Sequence, residues 1–402
     1  MLNYYSLVTL ILLSSFVLGG YVLEDLGVQY VSEGGPVLLK IHLYSYLIFL
    51  GTAIVFFRIG ISSAIISLGE FAKNWCISFL LLGFVIVYGV VQYGTSGMAY
   101  LVDTFLTPLF FLLLLSRLSK LQCEKLLTFL AYLLLFNSFV ALMEFFTQSR
   151  FVNVEFKSFS NFRSTAFLTH PLNNALITVG IAFFLFDKTV LSKFVYISII
   201  TLALFAFGGR AATGIFFIGL FIYYIPIISF VINYGTSITK NKFAFLSAIS
   251  FVILITMFFV FLESGIAERI ISKLYVDESA SARFDVFYLL EQLTPAEWFF
   301  GASKNLQDSV ELYLGISVIE NYLIAWLFSF GLIGGLPLLA FLLLILYTLA
   351  RSSGYLAWLS VMLFLIVSIS NNSMTTKTPA LLLLMTSLYL YYRINKIEVR
   401  GC

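Results

Sequence analysis

Residues 319–339 read IENYLIAWLFSFGLIGGLPLL, and from Tyr322 to Leu349 no charged side chain interrupts the apolar run. A helix needs about 20 such residues to cross the hydrocarbon core of a bilayer, so this stretch is long enough to span one. Directly ahead of it lies a long hydrophilic segment, residues 263–318, which carries Arg269, Lys273, Asp277, Glu278, Arg283, Asp285, Glu291, Glu297 and Asp308. Elsewhere the chain spends almost nothing on polar sequence. A membrane protein that builds one such segment, and ends it with Glu320-Asn321-Tyr322 at a helix mouth, is expected to do its chemistry or recognition there.

Composition extends that reading to the whole chain. With 61% hydrophobic and 11% charged residues, it falls outside the range of soluble domains and reads as an all-α, polytopic membrane protein. A net charge of +3, spread without patches, gives no nucleic-acid partner. The start, MLNYYSLVTLILLSSFVLGG, has no Lys or Arg ahead of its apolar run and no small-residue cleavage site, so it is expected to be a retained first span. Cys76, Cys123 and Cys402 show no metal-ligand spacing, and neither a metal nor a cofactor is expected.

Applying the length criterion along the chain gives twelve candidate spans: residues 3–23, 37–57, 74–94, 98–116, 124–147, 171–187, 190–208, 212–233, 243–262, 321–349, 355–370 and 378–392. No soluble domain separates from them, so residues 1–402 are expected to form one bundle. Positive charge sets the expected orientation. With both termini cytoplasmic, the inner loops hold Arg58, Lys73, Arg117, Lys120, Lys125, Lys188, Lys193, Lys240, Lys242, Arg351, Arg393, Lys396 and Arg400, against Lys40, Arg210 and Lys377 in the short outer ones. Residues 148–170 and 263–318 then form a first and a large outer loop. Trp326 near the outer boundary, and Trp75 and Trp358 near the inner one, are expected in the interfacial aromatic belts.

Ionisable groups within spans are costly and mark candidate functional positions. Here they are His42, Asp103 and Glu144, each in the outer third of its span, where they could line one cavity; alternatively each carboxylate pairs with a neighbouring cation. The first outer loop adds Arg150, Lys157 and Arg163, then His170-Pro171 with Asn173 and Asn174 at the start of the next span. Proline suits a first helical turn. Guanidinium groups bind phosphate oxygens bidentately and remain ionised, so Arg163 is a candidate anion ligand, while Lys157 reads as solvated. Arg210 stands in the tight outer turn FGGRAATG, where glycines permit close approach and the next helix begins, an arrangement suited to anions. In the large loop, SARFDVFYLLEQLTPAEWFFGASKN reads as an amphipathic helix whose apolar face lies on the membrane or caps the bundle, followed by a turn, with Arg283 just ahead of it. Glu320 could serve as a general base toward a hydroxyl or simply favour a helix N-terminus. Gly331 and Gly335 form a small-xxx-small pair that would permit tight helix contact.

Taken in order, Arg163, His170-Pro171-x-Asn173, Gly209-Arg210, Arg283 before a Phe-rich helix, Trp298-Phe299-Phe300-Gly301, Glu320-Asn321-Tyr322-Leu323 and Gly331 to Gly334 resemble the O-antigen polymerase and O-antigen ligase superfamily. The similarity covers roughly residues 98–350, including the Asp103 to Pro108 span. It implies a GT-C-type glycosyltransferase of the bacterial cytoplasmic membrane, acting on its outer face. The growing glycan on undecaprenyl diphosphate would be transferred onto the next lipid-linked repeat unit, as in O-antigen, capsule or exopolysaccharide synthesis. The resemblance gives Arg210 and Arg283 the diphosphate, with Arg163 beside them, and makes Glu320, then His170, the candidate base; Asp103, Glu144, Asn321 and Tyr322 would line the cavity. Expected partners are undecaprenyl-diphosphate-linked oligosaccharides, membrane lipids, a flippase and a chain-length-regulating co-polymerase. Ligases of the superfamily place a His before the Asn-x-Tyr-Leu-like segment, where Glu320 stands here, so the resemblance favours polymerase over ligase. A lipid-linked oligosaccharide flippase is the alternative of a different class, but no internal repeat is evident.

Overall fold

The computed structural model describes residues 3–32, 36–95, 97–152, 162–168, 170–235, 288–307, 309 and 319–395. The span expected at 243–262, Arg283, the Phe-rich stretch ahead of Tyr288, Lys157 and Cys402 lie outside these residues.

In chain order the helices are α1 (Tyr4–Val17), α2 (Gly20–Asp25), α3 (Leu43–Ile59), α4 (Ile61–Ile66), α5 (Ala72–Tyr93), α6 (Thr107–Leu115), α7 (Lys120–Thr147), α8 (Pro171–Leu185), α9 (Lys193–Phe207), α10 (Arg210–Tyr234), α11 (Pro295–Phe300), α12 (Tyr322–Arg351), α13 (Tyr355–Ser368) and α14 (Ala380–Asn395). Among the described residues the fold is all-α, and the one β feature is an isolated bridge between Asn321 and Asn371. Among the described residues four helices are long and apolar enough to cross a membrane: Gly69–Tyr93, Lys120–Thr147, Arg210–Phe230 and Tyr322–Arg351. Six further apolar helices run to 10–17 residues.

Burial sorts the helices into centre and rim. Nearly every residue of α8 and α14 is buried, the pattern of a helix apolar all round that sits inside a bundle. Helix α8 packs against α13 and α14, and α14 also meets α6 and α7. By contrast α5 presents Leu80, Val87 and Val91, and α10 presents Ile218, Phe221 and Ile232, on exposed faces. Apolar faces of this kind suit a hydrocarbon solvent, in which helical backbone satisfies its own hydrogen bonds.

Three departures from the sequence expectation have local causes. The first expected span is broken at Leu18–Gly19, between α1 and α2, because Gly19 lies against the backbone of Phe167 and Leu168. Its N–H bonds Phe167 O at 3.0 Å, and an added Cβ would stand 2.2 Å from both carbonyl oxygens. The 98–116 span contains a π-helical stretch at Leu101–Leu106, just where Pro108 has no N–H to offer the carbonyl of Thr104. Trp326 and Trp75 are buried rather than belted: their indole N–H groups donate to Met374 O at 3.2 Å and Leu109 O at 2.8 Å, the partners that a buried indole requires.

The Gly331–Gly335 expectation is also corrected. Gly331 does not sit in a straight helix; it kinks α12 with φ 59° and ψ −166°. The α11 turn presses into that kink, so that Ala302 N–H donates to Phe328 O at 2.7 Å and a Cβ on Gly331 would meet Phe299 O at 2.3 Å. Tyr88 and Gln92, near the end of α5, donate to Phe300 O at 2.6 and 2.7 Å, and Tyr93 donates to Ser329 O. A Cβ on Gly335 would meet nothing closer than 3.5 Å, whereas one on Gly334 would stand 3.0 Å from the Tyr88 ring of α5. Leu289 and Leu293 pack with Ala302, Ile324 and Phe328, so the described part of the expected amphipathic segment does cap the bundle.

Candidate functional site

Segments from distant parts of the chain meet at one end of the bundle: residues 18–32, 36–42, 101–104, 163–168, 170, 208–210, 319–321 and 371–379. The other end gathers residues 67–74, 116–118, 348–353 and 393, joined by bonds such as Ser67 Oγ to Ser116 Oγ at 2.8 Å and Asn74 Nδ2 to Thr348 Oγ1 at 2.8 Å. The first is the loop-rich end and the second the basic end.

At the loop-rich end, Asp103 and His42 come together. The fully buried Asp103 carboxylate accepts from Tyr30 OH at 2.8 Å, Ser45 Oγ at 2.6 Å and the His42 backbone N–H at 3.1 Å. Tyr44 N–H donates to His42 Nδ1 at 3.2 Å, so the neutral ring carries its proton on Nε2 and donates to Leu18 O. Lys377 donates to Tyr30 O and lies 4.1 Å from the centre of the Tyr30 ring. Burial pulls its ammonium below the ordinary value, against the opposing pull of Asp103. Thr104 Oγ1 donates to Thr376 O at 2.7 Å and accepts from Thr378 N–H at 3.1 Å. Apart from the Tyr44 to His42 cap, each of these bonds joins segments far apart in the chain, which reads as anchoring.

Glu144 is the second anchor. Near the end of α7, fully buried, it accepts the backbone N–H groups of Phe151 at 3.0 Å, Thr165 at 2.7 Å and Ala166 at 2.9 Å. Charge-assisted bonds to backbone donors are among the strongest a carboxylate makes. They hold the 162–168 segment inside the protein, where Ser164 Oγ donates to Ala141 O at 2.6 Å and Asn174 Nδ2 to Thr165 O at 2.6 Å. The segment then reaches Gly19, so the two anchors brace each other.

Upon this frame stand the cationic candidates. Arg163 is half-buried, and its side chain lies along the turn between α9 and α10: an added Cβ on Gly208 would be 3.0 Å from Arg163 Cδ and 3.1 Å from its Nε. Gly208 takes φ 68°, ψ 20° to end α9. Gly209 fits against Ala175 of α8, where a Cβ would meet the alanine's at 2.8 Å. Arg210 follows as the first residue of α10 and is exposed. Thus Arg163, the turn that carries Arg210, and α8 come together, though they lie far apart in the chain. Arg150 joins them, donating Nε to Arg163 O at 3.1 Å and covering the Phe162 ring at 4.8 Å. His170 caps α8, its Nδ1 accepting from Leu172 N–H at 3.4 Å, with Pro171 next as expected. Burial, then the Arg163 charge, lower its pKa to about 4. A ring whose Nδ1 is committed to a cap carries its proton on Nε2 and has no free lone pair there to accept another.

Glu320 stands just ahead of α12, and Asn321 caps that helix by accepting from Leu323 N–H at 3.0 Å and Ile324 N–H at 3.4 Å. Tyr322 is buried edge-on against Trp326, with ring centres 4.8 Å apart. Sequence reasoning missed the segment 371–379, which bridges Asn321, binds Trp326 through Met374, and reaches Asp103's shell through Thr376 and Lys377. Its only signal was the density of small polar residues in SISNNSMTTKT. Among the described residues no cluster of His, Cys, Asp or Glu could hold a metal. Compared with known proteins, the sequence matches no family model and no curated protein.

Proposed function

We propose that this chain is a polymerase of lipid-linked oligosaccharide repeat units, working at the loop-rich end of its helical bundle. The observation that carries the reading is the approach of the Arg163 side chain to Gly208, in the turn that leads into Arg210 at the start of α10. In the proposed reaction, a hydroxyl of the acceptor repeat attacks C1 of the donor glycan. The C1–O bond to the diphosphate breaks and undecaprenyl diphosphate leaves with the electron pair. Glu320 takes the hydroxyl proton. Arg163 and Arg210, with Arg283, hold the diphosphate and offset the charge that it gains on departure, a role that guanidinium groups fit by geometry and permanent charge.

The positive residues at the opposite end, Arg58, Lys73, Arg117, Lys120, Lys125, Lys188, Lys193, Arg351 and Arg393, support a cytoplasmic location for that end and an extracytoplasmic one for the site. The full count of twelve spans and the GT-C relationship belong to the same proposal, as do the flippase and co-polymerase partners. Binding of undecaprenyl diphosphate to the purified chain, followed by native mass spectrometry, tests the site. Arg163→Ala and Arg210→Ala should each weaken binding by about tenfold or more; wild-type affinity in both would refute it.

A further inference from the structure

The basic end holds a second pair of cations that the polymerase reading does not use. Arg117 lies in the turn that closes α6, and Arg393 in the last turn of α14. Arg393 Nη2 donates to Leu118 O at 2.8 Å, which brings the end of α14 against the residue beside Arg117. Tyr389, one turn earlier on α14, feels the charge of both guanidiniums, and the Arg393 side chain is hydrogen-bonded to Tyr389 and to Cys123. Three of their donor atoms, Arg117 Nε and Nη2 and Arg393 Nε, are shielded from solvent and have no hydrogen-bond partner. Glu70, the acid on the neighbouring turn, is engaged by the Tyr392 hydroxyl.

Such an arrangement is unfavourable as it stands. Buried donors of a charged group left unmatched cost more than neutral ones, and two like charges placed together disfavour each other. One kind of ligand relieves both: an anion with several oxygens. The planar guanidinium fork matches phosphate geometry, and basic pockets between helices at this membrane face suit phospholipid headgroups. Lys73, Lys120 and Lys125 belong to the same end and raise the local concentration of anions.

We infer that Arg117 and Arg393 form a phosphate-binding site at the basic end of the bundle, filled by the headgroup of an anionic phospholipid or by free phosphate. The site is separate from the proposed active site and does not depend on it. Thermal unfolding of the full chain in neutral detergent provides the test, with three additions at constant ionic strength: phosphatidylglycerol, phosphatidylcholine and inorganic phosphate. Phosphatidylglycerol should raise the midpoint where phosphatidylcholine does not, and Arg117→Gln and Arg393→Gln should each weaken that response by about fivefold in lipid concentration. A matching rise with inorganic phosphate identifies a free-phosphate site; a rise with the lipid alone identifies a headgroup site. Should the Gln variants fail to fold, Arg117→Lys and Arg393→Lys keep the charge but lose the fork, and binding should weaken in them too. Equal response of the wild type to phosphatidylglycerol and phosphatidylcholine, with none to phosphate, overturns the inference, as do variants that respond like the wild type.

Discussion

Gly331→Ala is the substitution whose cost follows most directly from the geometry. At φ 59° and ψ −166° the backbone occupies a region that glycine alone populates readily, so alanine there carries about 1–3 kcal/mol of strain. The added methyl would also stand 2.3 Å from Phe299 O and 2.5 Å from Gly301 N. Both are backbone atoms that cannot rotate away. Relief therefore requires the α11 turn to lift from α12. That breaks the Ala302 N–H to Phe328 O bond and strains those from Tyr88 and Gln92 to Phe300 O, at about 1 kcal/mol each. Together these give a loss of roughly 3–5 kcal/mol. Gly335→Ala is the matched control, four residues on in the same helix. Its Cβ would have 3.5 Å of clearance, and helix propensity favours alanine by up to about 1 kcal/mol. Unfolding of the purified chain in detergent, by heat or by denaturant, should separate the two: a large drop for Gly331→Ala and none for Gly335→Ala. Equal stability of Gly331→Ala and wild type would refute the kink as described.

Glu144→Ala removes the acceptor for Phe151, Thr165 and Ala166 N–H, at a cost of roughly 3 kcal/mol or more. Protease cleavage within residues 148–162 should accelerate, with Glu144→Gln intermediate; unchanged cleavage contradicts the anchoring role. His170, whose pKa falls from 6.5 to about 4, gives a signed pH dependence. The unfolded ring takes up its proton near 6.5, while the folded ring resists until about 4. Its contribution to stability is therefore complete above 6.5 and lost as pH falls through 4. His170→Asn keeps a capping side chain and should flatten the fall in unfolding midpoint over that window. An identical pH profile in wild type and variant would contradict it.

The helices were legible because apolar run length is read directly from residues. Expected spans such as 74–94, 124–147, 190–208 and 355–370 each overlap one helix for most of their length, and Pro171 marks the start of α8. Breaks within helices were not legible. Gly19 reads as ordinary apolar context and Gly331 as half of a helix-packing pair, and only the approach of distant backbone, at Phe167 and Phe299, shows why they must be glycine. The tryptophans misled for a related reason. An indole at the end of a span suits an interface equally well as a buried site, and the carbonyls that bind Trp75 and Trp326 come from elsewhere in the chain. Among the candidate residues, Arg163 and Arg210 could be named from their chemistry, but their convergence required the fold. Asp103 and Glu144 could be named as costly charges; that each is fully occupied by loop backbone and hydroxyl donors could not.

The central claim concerns what the loop-rich end does, and surface glycan from a strain lacking this chain tests it most directly. The strain would be complemented with wild type, Arg163→Ala, Arg210→Ala or Glu320→Gln, and the glycan resolved as a ladder on a gel, with membrane levels of each variant confirmed. The account predicts a single repeat unit on its carrier in the deletion, a full ladder with wild type, and no ladder with either arginine variant or with Glu320→Gln. Long lipid-linked polymer accumulating in the deletion, or a wild-type ladder from the arginine variants, would contradict it.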